Sequence, residues 1–313
     1  MFKGGWTSYR QQEYGPRRFG SVVRTDRRWR HNRSTGELVG IYGQVQQDLR
    51  QLVPKSRGRW RSYQDVSYLQ SLIASARREA EVSNLSVNWL RALALQAPHA
   101  AQAQRQMDAH PHGFRNKSVR TMELIDFNDA FVSVVLALSP EERISAVDDI
   151  RSLMDWFCKR VGVKSFSDDQ FNGIVKGLSR EVAVYYGALN EGFKARLTGR
   201  HDDAMGIDLI VTDVNSGKLI NIDCKTPSAF RHRLGDLFFE GRITDDERLK
   251  ADQDGYAIEQ NGHDADRVEV VLLRIDRESY GEVMNFEFTN SEALGAILKM
   301  LINNHGQQTG QTT

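Results

Sequence analysis

The stretch that decides the fold is residues 206–227, GIDLIVTDVNSGKLINIDCKTP. Residues 215–217, Asn-Ser-Gly, favour a turn and separate two runs rich in β-branched residues, which predicts a β-hairpin. Because side chains alternate along a strand, Asp223 and Lys225 share one face and Cys224 points to the other. The hairpin therefore presents an acid and a lysine together where its second strand ends.

The register of this hairpin decides whether a second acid joins them. A two-residue turn at Asn215 and Ser216 places Asp208 opposite Asp223 on the same face, whereas a three-residue turn shifts the register unless a bulge restores it. Two carboxylates and an ammonium on one sheet face are costly without a ligand. We therefore expect a divalent metal ion at this position.

The pattern resembles the PD-(D/E)xK nuclease superfamily, especially its restriction-enzyme-like and Holliday-junction-resolvase-like branches. The matching residues are Asp208, Asp223 and Lys225, with Glu181 on the preceding helix as the family's helical acid and Glu191 as the second choice. The resemblance covers residues 179–276, about a third of the chain. Two features depart from the family: no proline precedes Asp208, and the second acid is Asp where Glu is commoner.

The resemblance implies an activity and a cofactor. Asp208, Asp223 and the backbone carbonyl of Cys224 would hold Mg²⁺, with Mn²⁺ as the alternative, since hard oxygen ligands favour these ions over Zn²⁺. Lys225 would position or help to deprotonate the attacking water, and Glu181 would bind the metal or its water. The expected reaction is phosphodiester hydrolysis in nucleic acid, with DNA favoured over RNA.

The implied fold is of the α+β class. It is an α/β/α sandwich with a restriction-endonuclease-like core and a mixed sheet, preceded by a helical module and a basic N-terminal arm. We predict a partly disordered arm over residues 1–60, the module over 61–165, the nuclease domain over 166–304 and a disordered tail over 305–313.

Charge is distributed unevenly along the chain. Residues 1–120 carry 21 Lys+Arg and 8 Asp+Glu, a net +13, whereas residues 121–313 carry 21 and 33, a net −12. Basic side chains with interleaved aromatic residues in the arm, such as Trp29, suit contact with phosphates and bases. The candidate nucleic-acid contacts are Arg27, Arg28, Arg30 and, beside the hairpin, Arg200. A solvated tail or a protein-docking segment explains the arm equally well.

Several local signals predict elements outside the hairpin. Pro98 is expected to end a helix, residues 139–142 (Ser-Pro-Glu-Glu) to start one, and Ser179 to start the helix that carries Glu181. Thr244 and Glu247 form a capping box for a helix reaching about Glu259. Residues 268–275 are expected to form a buried strand.

The remaining expectations concern the setting of the protein. The sequence contains no apolar run of membrane-spanning length and no signal-peptide pattern, and its two cysteines suggest a reducing, cytoplasmic compartment. A homodimer or a protein partner stays open. Two alternatives to the nuclease hypothesis also stay open: a catalytically silent restriction-like fold that binds nucleic acid or assembles with proteins, and a different α+β domain with an incidental acidic hairpin.

Overall fold

Helices dominate the first half of the chain, in a computed structural model that describes residues 38–53, 67–109, 119–199, 202, 205–262 and 267–308. They are α1 (Gly40–Leu52), α2 (Ser67–Ser83), α3 (Ser86–Asp108), α4 (Val119–Ala137), α5 (Pro140–Arg143), α6 (Ala146–Val161) and α7 (Asp168–Asn190). Apolar side chains of α1–α4, α6 and the first half of α7 form one buried helical core. None of the helices in these ranges combines the length and the apolar character that a bilayer span requires.

The helix α1 lies inside the segment that the sequence assigns to the basic arm. Its Tyr42, Val45 and Leu49 side chains are buried in the helical core. Arg160 of α6 donates a hydrogen bond of 2.7 Å to the carbonyl of Val53, which follows α1. The end of the predicted arm is thus part of the folded body. Three arginines expected to contact nucleic acid lie outside the described residues: Arg27, Arg28 and Arg30.

The central helix of this core, α3, contradicts the expectation that Pro98 ends a helix. The helix continues through Pro98 to Asp108. An interior proline costs about 3 kcal/mol because it removes a hydrogen bond and crowds the preceding turn. Every residue from 92 to 101 is buried, however, so the apolar area removed from water on all sides of α3 offsets that cost.

The helix that carries Glu181 also differs from its prediction. Ser167 and Gln170 form a reciprocal capping box, and the helix that begins there runs without a break to Asn190, so the expected start at Ser179 is wrong. Its N-terminal half packs in the helical core through Phe171 and Leu178. Glu181 therefore sits in the middle of a 23-residue helix and does not serve the dipole of a helix N-terminus.

The second half of the chain folds around a mixed sheet. Its strands are β1 (Lys194–Leu197), β2 (Leu209–Thr212), β3 (Lys218–Lys225), β4 (Tyr256–Asn261), β5 (Val268–Arg274) and β8 (Gln307–Gln308), while β6 (Val283–Met284) and β7 (Glu287–Phe288) form a separate ribbon. The helices of this half are α8 (Pro227–Phe239), α9 (Asp245–Asp254), α10 (Arg277–Tyr280) and α11 (Glu292–His305).

The strand order is β1-β2-β3-β5-β4. The strands β1, β2 and β3 form an antiparallel meander, β3 and β5 are parallel, and β4 is antiparallel to β5. The strand β8 pairs with the start of β3, at Lys218 and Leu219. A mixed sheet within a chain of helices and strands agrees with the predicted class, and the strand predicted over residues 268–275 is confirmed as β5.

Helices cover both faces of this sheet. On one face, Ile222 of β3 packs with Val184 of α7 and Leu298 of α11. On the other face, Leu272 of β5 packs with Phe230 of α8 and a neighbouring residue of α9. The side-chain alternation of β3 divides its residues between these faces, and Asp223 falls on the face that α8 covers.

Two helices follow the hairpin, and the second of them differs from the sequence expectation. The stretch after Lys225 is the helix α8, capped by Thr226 and begun by Pro227. The capping box of Thr244 and Glu247 is confirmed, but α9 ends at Gly255, whose φ of 79° gives a left-handed C-terminal cap. The residues up to Glu259 that were expected to be helical therefore form β4.

A buried histidine of α3 predicts acid sensitivity of the helical core. Burial lowers the pKa of His99 from 6.5 to about 4, so the folded state binds fewer protons than the unfolded state between these values. Stability is therefore full above pH 6.5 and falls as the pH drops toward 4. The His99→Gln variant should lose less stability than the wild type between pH 7 and pH 5, by about 2 kcal/mol, in urea unfolding at each pH.

The control is His232→Gln, which removes a histidine whose side chain is 80% exposed. This variant should keep the wild-type pH dependence. Equal pH dependence of the wild type and His99→Gln would contradict the prediction.

Candidate active site

The site lies at the open end of the β2–β3 hairpin. The ladder pairs Thr212 with Leu219 and Leu209 with Ile222, so the next pair outward in this register is Asp208 and Asp223. The turn is wider than the two-residue turn considered for the sequence, because the Asp213 amide donates to the Lys218 carbonyl at 2.9 Å and encloses residues 214–217. Its centre is nevertheless the bond between residues 215 and 216, and this gives the same register.

The backbone departs from regular pairing at Asp208. The Asp208 amide donates to the carbonyl of Ile222 at 2.8 Å, and the Asp208 carboxylate accepts a hydrogen bond of 2.6 Å from the amide of Cys224. A side chain therefore replaces the backbone partner that the Cys224 amide would have in a longer ladder. The amide and carbonyl of one strand residue point in the same direction, so the Cys224 carbonyl also faces the Asp208 side of β3.

Asp223 and Lys225 form an ion pair on the neighbouring positions of β3. The Lys225 ammonium donates to the Asp223 carboxylate, which is 5% exposed. The backbone of Gly206 covers this carboxylate: a Cβ at that position would lie 3.9 Å from Oδ2 of Asp223 and 3.3 Å from Nδ2 of Asn261. The φ of Gly206 is +78°, a conformation that favours glycine, so the residue is suited to this close approach.

Glu181 is linked electrostatically to Asp208. Burial is the largest cause that raises the pKa of Asp208, followed by the charges of Glu181 and Asp223, while Lys225 and the Cys224 amide oppose the rise. Burial disfavours the charged form of Lys225, but Asp223 and Asp208 outweigh it and raise the pKa of the ammonium. Asp208 thus lies within the electrostatic fields of Glu181, Asp223 and Lys225, and Lys225 lies within those of the two aspartates.

The donor set suits a hard divalent cation in chemistry and charge. Three carboxylates and one ammonium sum to −2, and the available donors are carboxylate oxygens and a backbone carbonyl. In the part of the chain that the structure describes, no three His, Cys, Asp or Glu side chains converge on one point as a preformed metal site. The expected ligands Asp208 and Asp223 are two carboxylates, which is the number that Mg²⁺ often takes from a protein while it keeps several waters.

The second-choice helical acid lies elsewhere. Glu191 follows the last residue of α7 and packs beside Gly295 of α11. With Asp213 and Lys299 it lines a shallow pocket at the turn end of the hairpin, opposite the end that carries Asp208. The structure therefore separates Glu191 from the other acids. Arg200, the predicted phosphate contact beside the hairpin, lies outside the described residues.

The sequence did not reveal two further buried polar residues on the face that α8 covers. Asn221 and Glu259 are 7% and 3% exposed and share one row of the sheet through Val270. The Glu259 carboxylate accepts hydrogen bonds from Arg233 of α8, with 3.1 Å between Nε and Oε2, and from Arg242, at 2.8 Å. These contacts fix α8 on the sheet, directly after Lys225. A glycine often ends a helix in the left-handed conformation, so Gly255 could have indicated that the helix stops there and that Glu259 lies in a following strand.

Comparisons with protein-family models, with curated proteins and with solved structures find no match to this chain.

The raised pKa of Asp208 predicts that its ionised carboxylate lowers the stability of the folded protein. A carboxyl whose pKa is higher in the folded than in the unfolded state destabilises the fold as the pH rises through that range. Asp208→Asn keeps an acceptor for the Cys224 amide but removes the charge. The variant should raise Tm at pH 7 in EDTA, by about 2–4 °C for each kcal/mol gained in the free energy of unfolding. The increase in Tm should be smaller at pH 4.

Asp213→Asn at the other end of the hairpin is the control. Hydrogen bonds from Ser216 and Asn215 lower the pKa of Asp213, so its neutralisation should not stabilise the protein. An Asp208→Asn variant with unchanged or lower Tm at pH 7 would contradict the account of a strained carboxylate.

Proposed function

We propose that this protein is a metal-dependent nuclease that hydrolyses phosphodiester bonds, with DNA as the favoured substrate and Mg²⁺ as the metal. The observation that carries the proposal is the position of Asp208 at the open end of one hairpin, where the charges of Glu181, Asp223 and Lys225 all act on its carboxyl. These are the residues that the resemblance to the PD-(D/E)xK superfamily assigns to the reaction. The excess of negative charge in a partly buried site would be offset by a divalent ion.

The order of elements supports the restriction-endonuclease-like core. The helix α7 precedes the meander of β1, β2 and β3, and the helix α8 then leads through α9 and β4 to β5, which is parallel to β3. Helix, strand, turn, strand, helix and strand is the context in which the resembling family carries its motif. Here β4 adds one antiparallel strand outside β5.

The acids would have distinct roles in this reaction. Asp208 and Asp223, with the Cys224 carbonyl, would hold the metal, and Glu181 would bind it or one of its waters. When bound, Mg²⁺ supplies polarisation of the phosphate and a lower pKa of the attacking water. The hydrogen bond between the Cys224 amide and the Asp208 carboxylate orients the first ligand before the metal arrives.

The charges of Asp223 and Asp208 raise the pKa of Lys225 and so favour its protonated form. As an ammonium, Lys225 would hold the attacking water or neutralise the charge that develops on the phosphate oxygens. A metal ion on the two aspartates would offset their charges, and Lys225 could then help to deprotonate the water. The ion pair holds the ammonium beside Asp223, one of the proposed metal ligands.

A second candidate is a catalytically silent member of the same fold that binds nucleic acid. The observation that favours it is the ion pair of Lys225 with Asp223, because that pair already neutralises one of the two expected metal ligands. Salt-sensitive binding of nucleic acid without cleavage in Mg²⁺ or Mn²⁺ would support this candidate over the enzyme.

The decisive substitutions are Asp208→Ala and Lys225→Ala. Asp208→Ala should abolish Mg²⁺-dependent cleavage because one remaining carboxylate holds this reluctantly dehydrated ion poorly. Lys225→Ala should lower turnover by about 10²–10³-fold while metal binding persists, since ammonium is no ligand. Asp223→Glu restores the commoner family residue and should remain active. The assay is cleavage of labelled duplex and single-stranded DNA and RNA with Mg²⁺, Mn²⁺ or EDTA.

The control is Lys218→Ala, which removes a lysine at the opposite end of the same strand. Its activity should equal that of the wild type. Undiminished cleavage by Asp208→Ala would show that another site, or a contaminant, performs the reaction.

Deletion of residues 1–37 tests whether the arm contacts phosphates without disturbing α1. The deletion removes 9 Lys+Arg and 3 Asp+Glu, a change of −6. Nucleic-acid affinity should fall, and the slope of log K against log salt should flatten by about 0.9 for each lost contact with duplex phosphate. Deletion of the uncharged residues 309–313 is the control. An unchanged salt slope after removal of 1–37 would leave the arm without a role in binding.

A further inference from the structure

An exposed apolar patch lies at the end of α8, on the opposite side of the sheet from α7. Phe239 is 87% exposed, and its ring stands edge to face against that of Phe238, with centroids 5.7 Å apart. Leu249 on α9 is 51% exposed. Large side chains at this exposure lose hydrophobic stabilisation, so a surface that holds two of them suits a partner. We call the surface of residues 236–254 around these side chains the α8–α9 patch.

The rim of the patch is acidic. Residues 236–254 carry seven Asp+Glu and three Lys+Arg, a net −4. Two of the three cations are already bound to carboxylates: Arg242 to Glu240 and Glu259, and Arg248 to Asp245. The patch therefore repels a phosphate backbone and attracts a cationic partner.

The contacts inside the patch show which side chains it accepts. The guanidinium of Arg248 lies over the ring of Phe238, 5.5 Å from its centroid. The neighbouring ring of Phe239 is exposed and can take a second guanidinium in the same way. Arginine also pairs with carboxylates through two parallel hydrogen bonds. A peptide rich in arginine and aromatic residues matches both the rings and the acids.

Residues 1–37 of this chain have that composition. They carry nine Lys+Arg, three Asp+Glu and six aromatic residues, a net +6. Arg18 precedes the first described residue, Leu38, by 20 residues, a reach of about 70 Å when extended. A compact chain of this length has a radius of gyration of about 20 Å, so the segment can reach any face of its own protein.

We propose that residues 1–37 dock on the α8–α9 patch of the same molecule, with arginines on the acidic rim and on the exposed ring of Phe239. The proposal rests on charge and exposure and not on the nuclease chemistry. It gives the basic segment an acidic binding surface within its own chain, from which a polyanion would have to displace it.

The test is photo-crosslinking in the full-length protein. A benzophenone amino acid replaces Phe239, and crosslinked peptides are identified by mass spectrometry after irradiation at low salt. Crosslinks from position 239 to residues 1–37 in monomeric protein are expected, and 1 M salt should reduce them several-fold because it screens the charges. The matched control carries the same residue at Val82, which is 91% exposed on α2.

Charge variants test the acidic rim. Asp246→Lys with Asp254→Lys should reduce the crosslink yield several-fold, whereas Asp169→Lys with Glu278→Lys, which changes the net charge equally away from the patch, should not. Crosslinks to residues outside 1–37, equal yields at positions 239 and 82, or crosslinks found only between two molecules would each overturn the proposal. The readout involves no cleavage, so it stands or fails separately from the nuclease assay.

Discussion

The candidate site depends on the hydrogen bond between the amide of Cys224 and the carboxylate of Asp208. The ladder of β2 and β3 ends one residue earlier, and a buried amide at that point needs another acceptor. The Asp208 side chain supplies it and is thereby held at the edge of β3, next to the position of Asp223. One satisfied backbone donor thus brings together two carboxylates that would otherwise separate for electrostatic reasons.

Residues from several other elements contribute to the electrostatics around Asp208. Glu181 adds a third negative charge from the middle of α7, a helix anchored in the helical core at one end and on the sheet at the other. Gly206 covers Asp223 from above. Among the described residues, Lys225 is the cation that pairs with Asp223 and lowers the pKa of Asp208. The buried carboxylates reduce the stability of the folded protein. Clusters of buried charge of this kind occur at sites that bind cations or perform chemistry.

The sequence predicted the hairpin because it depends on local signals, and it left the register to the width of the turn. A four-residue loop and a two-residue turn with the same centre give the same strand pairing. The wider turn therefore leaves Asp208 opposite Asp223, as the two-residue turn would. The helix starts at Ser139 and Thr244 were likewise predicted, since each capping box is a contact between residues three apart.

The sequence failed where packing between distant segments decides the structure. Burial on all sides carries α3 through Pro98, and contacts with the helical core extend α7 ahead of Ser179. The partners of Glu259 are two arginines from elements that are distant in the chain, and no local pattern joins them. The electrostatic coupling of Glu181 to Asp208 also depends on tertiary structure. Glutamate is common in helices, and it is the packing of α7 against the sheet that brings this one near Asp208.

The candidate site and the surface of the protein both carry excess negative charge, whereas the N-terminal residues are basic. In the proposed nuclease, the excess negative charge of the site would repel the backbone of the substrate until a metal is bound, and the net charge of −12 over residues 121–313 would extend that repulsion over the body of the protein. Basic residues near the N-terminus can overcome it only if they reach the substrate. In the proposed docking, the same arginines would bind the acidic rim of the α8–α9 patch. Because one guanidinium cannot satisfy both a carboxylate and a phosphate at full strength, polyanion binding and docking on the patch would then compete.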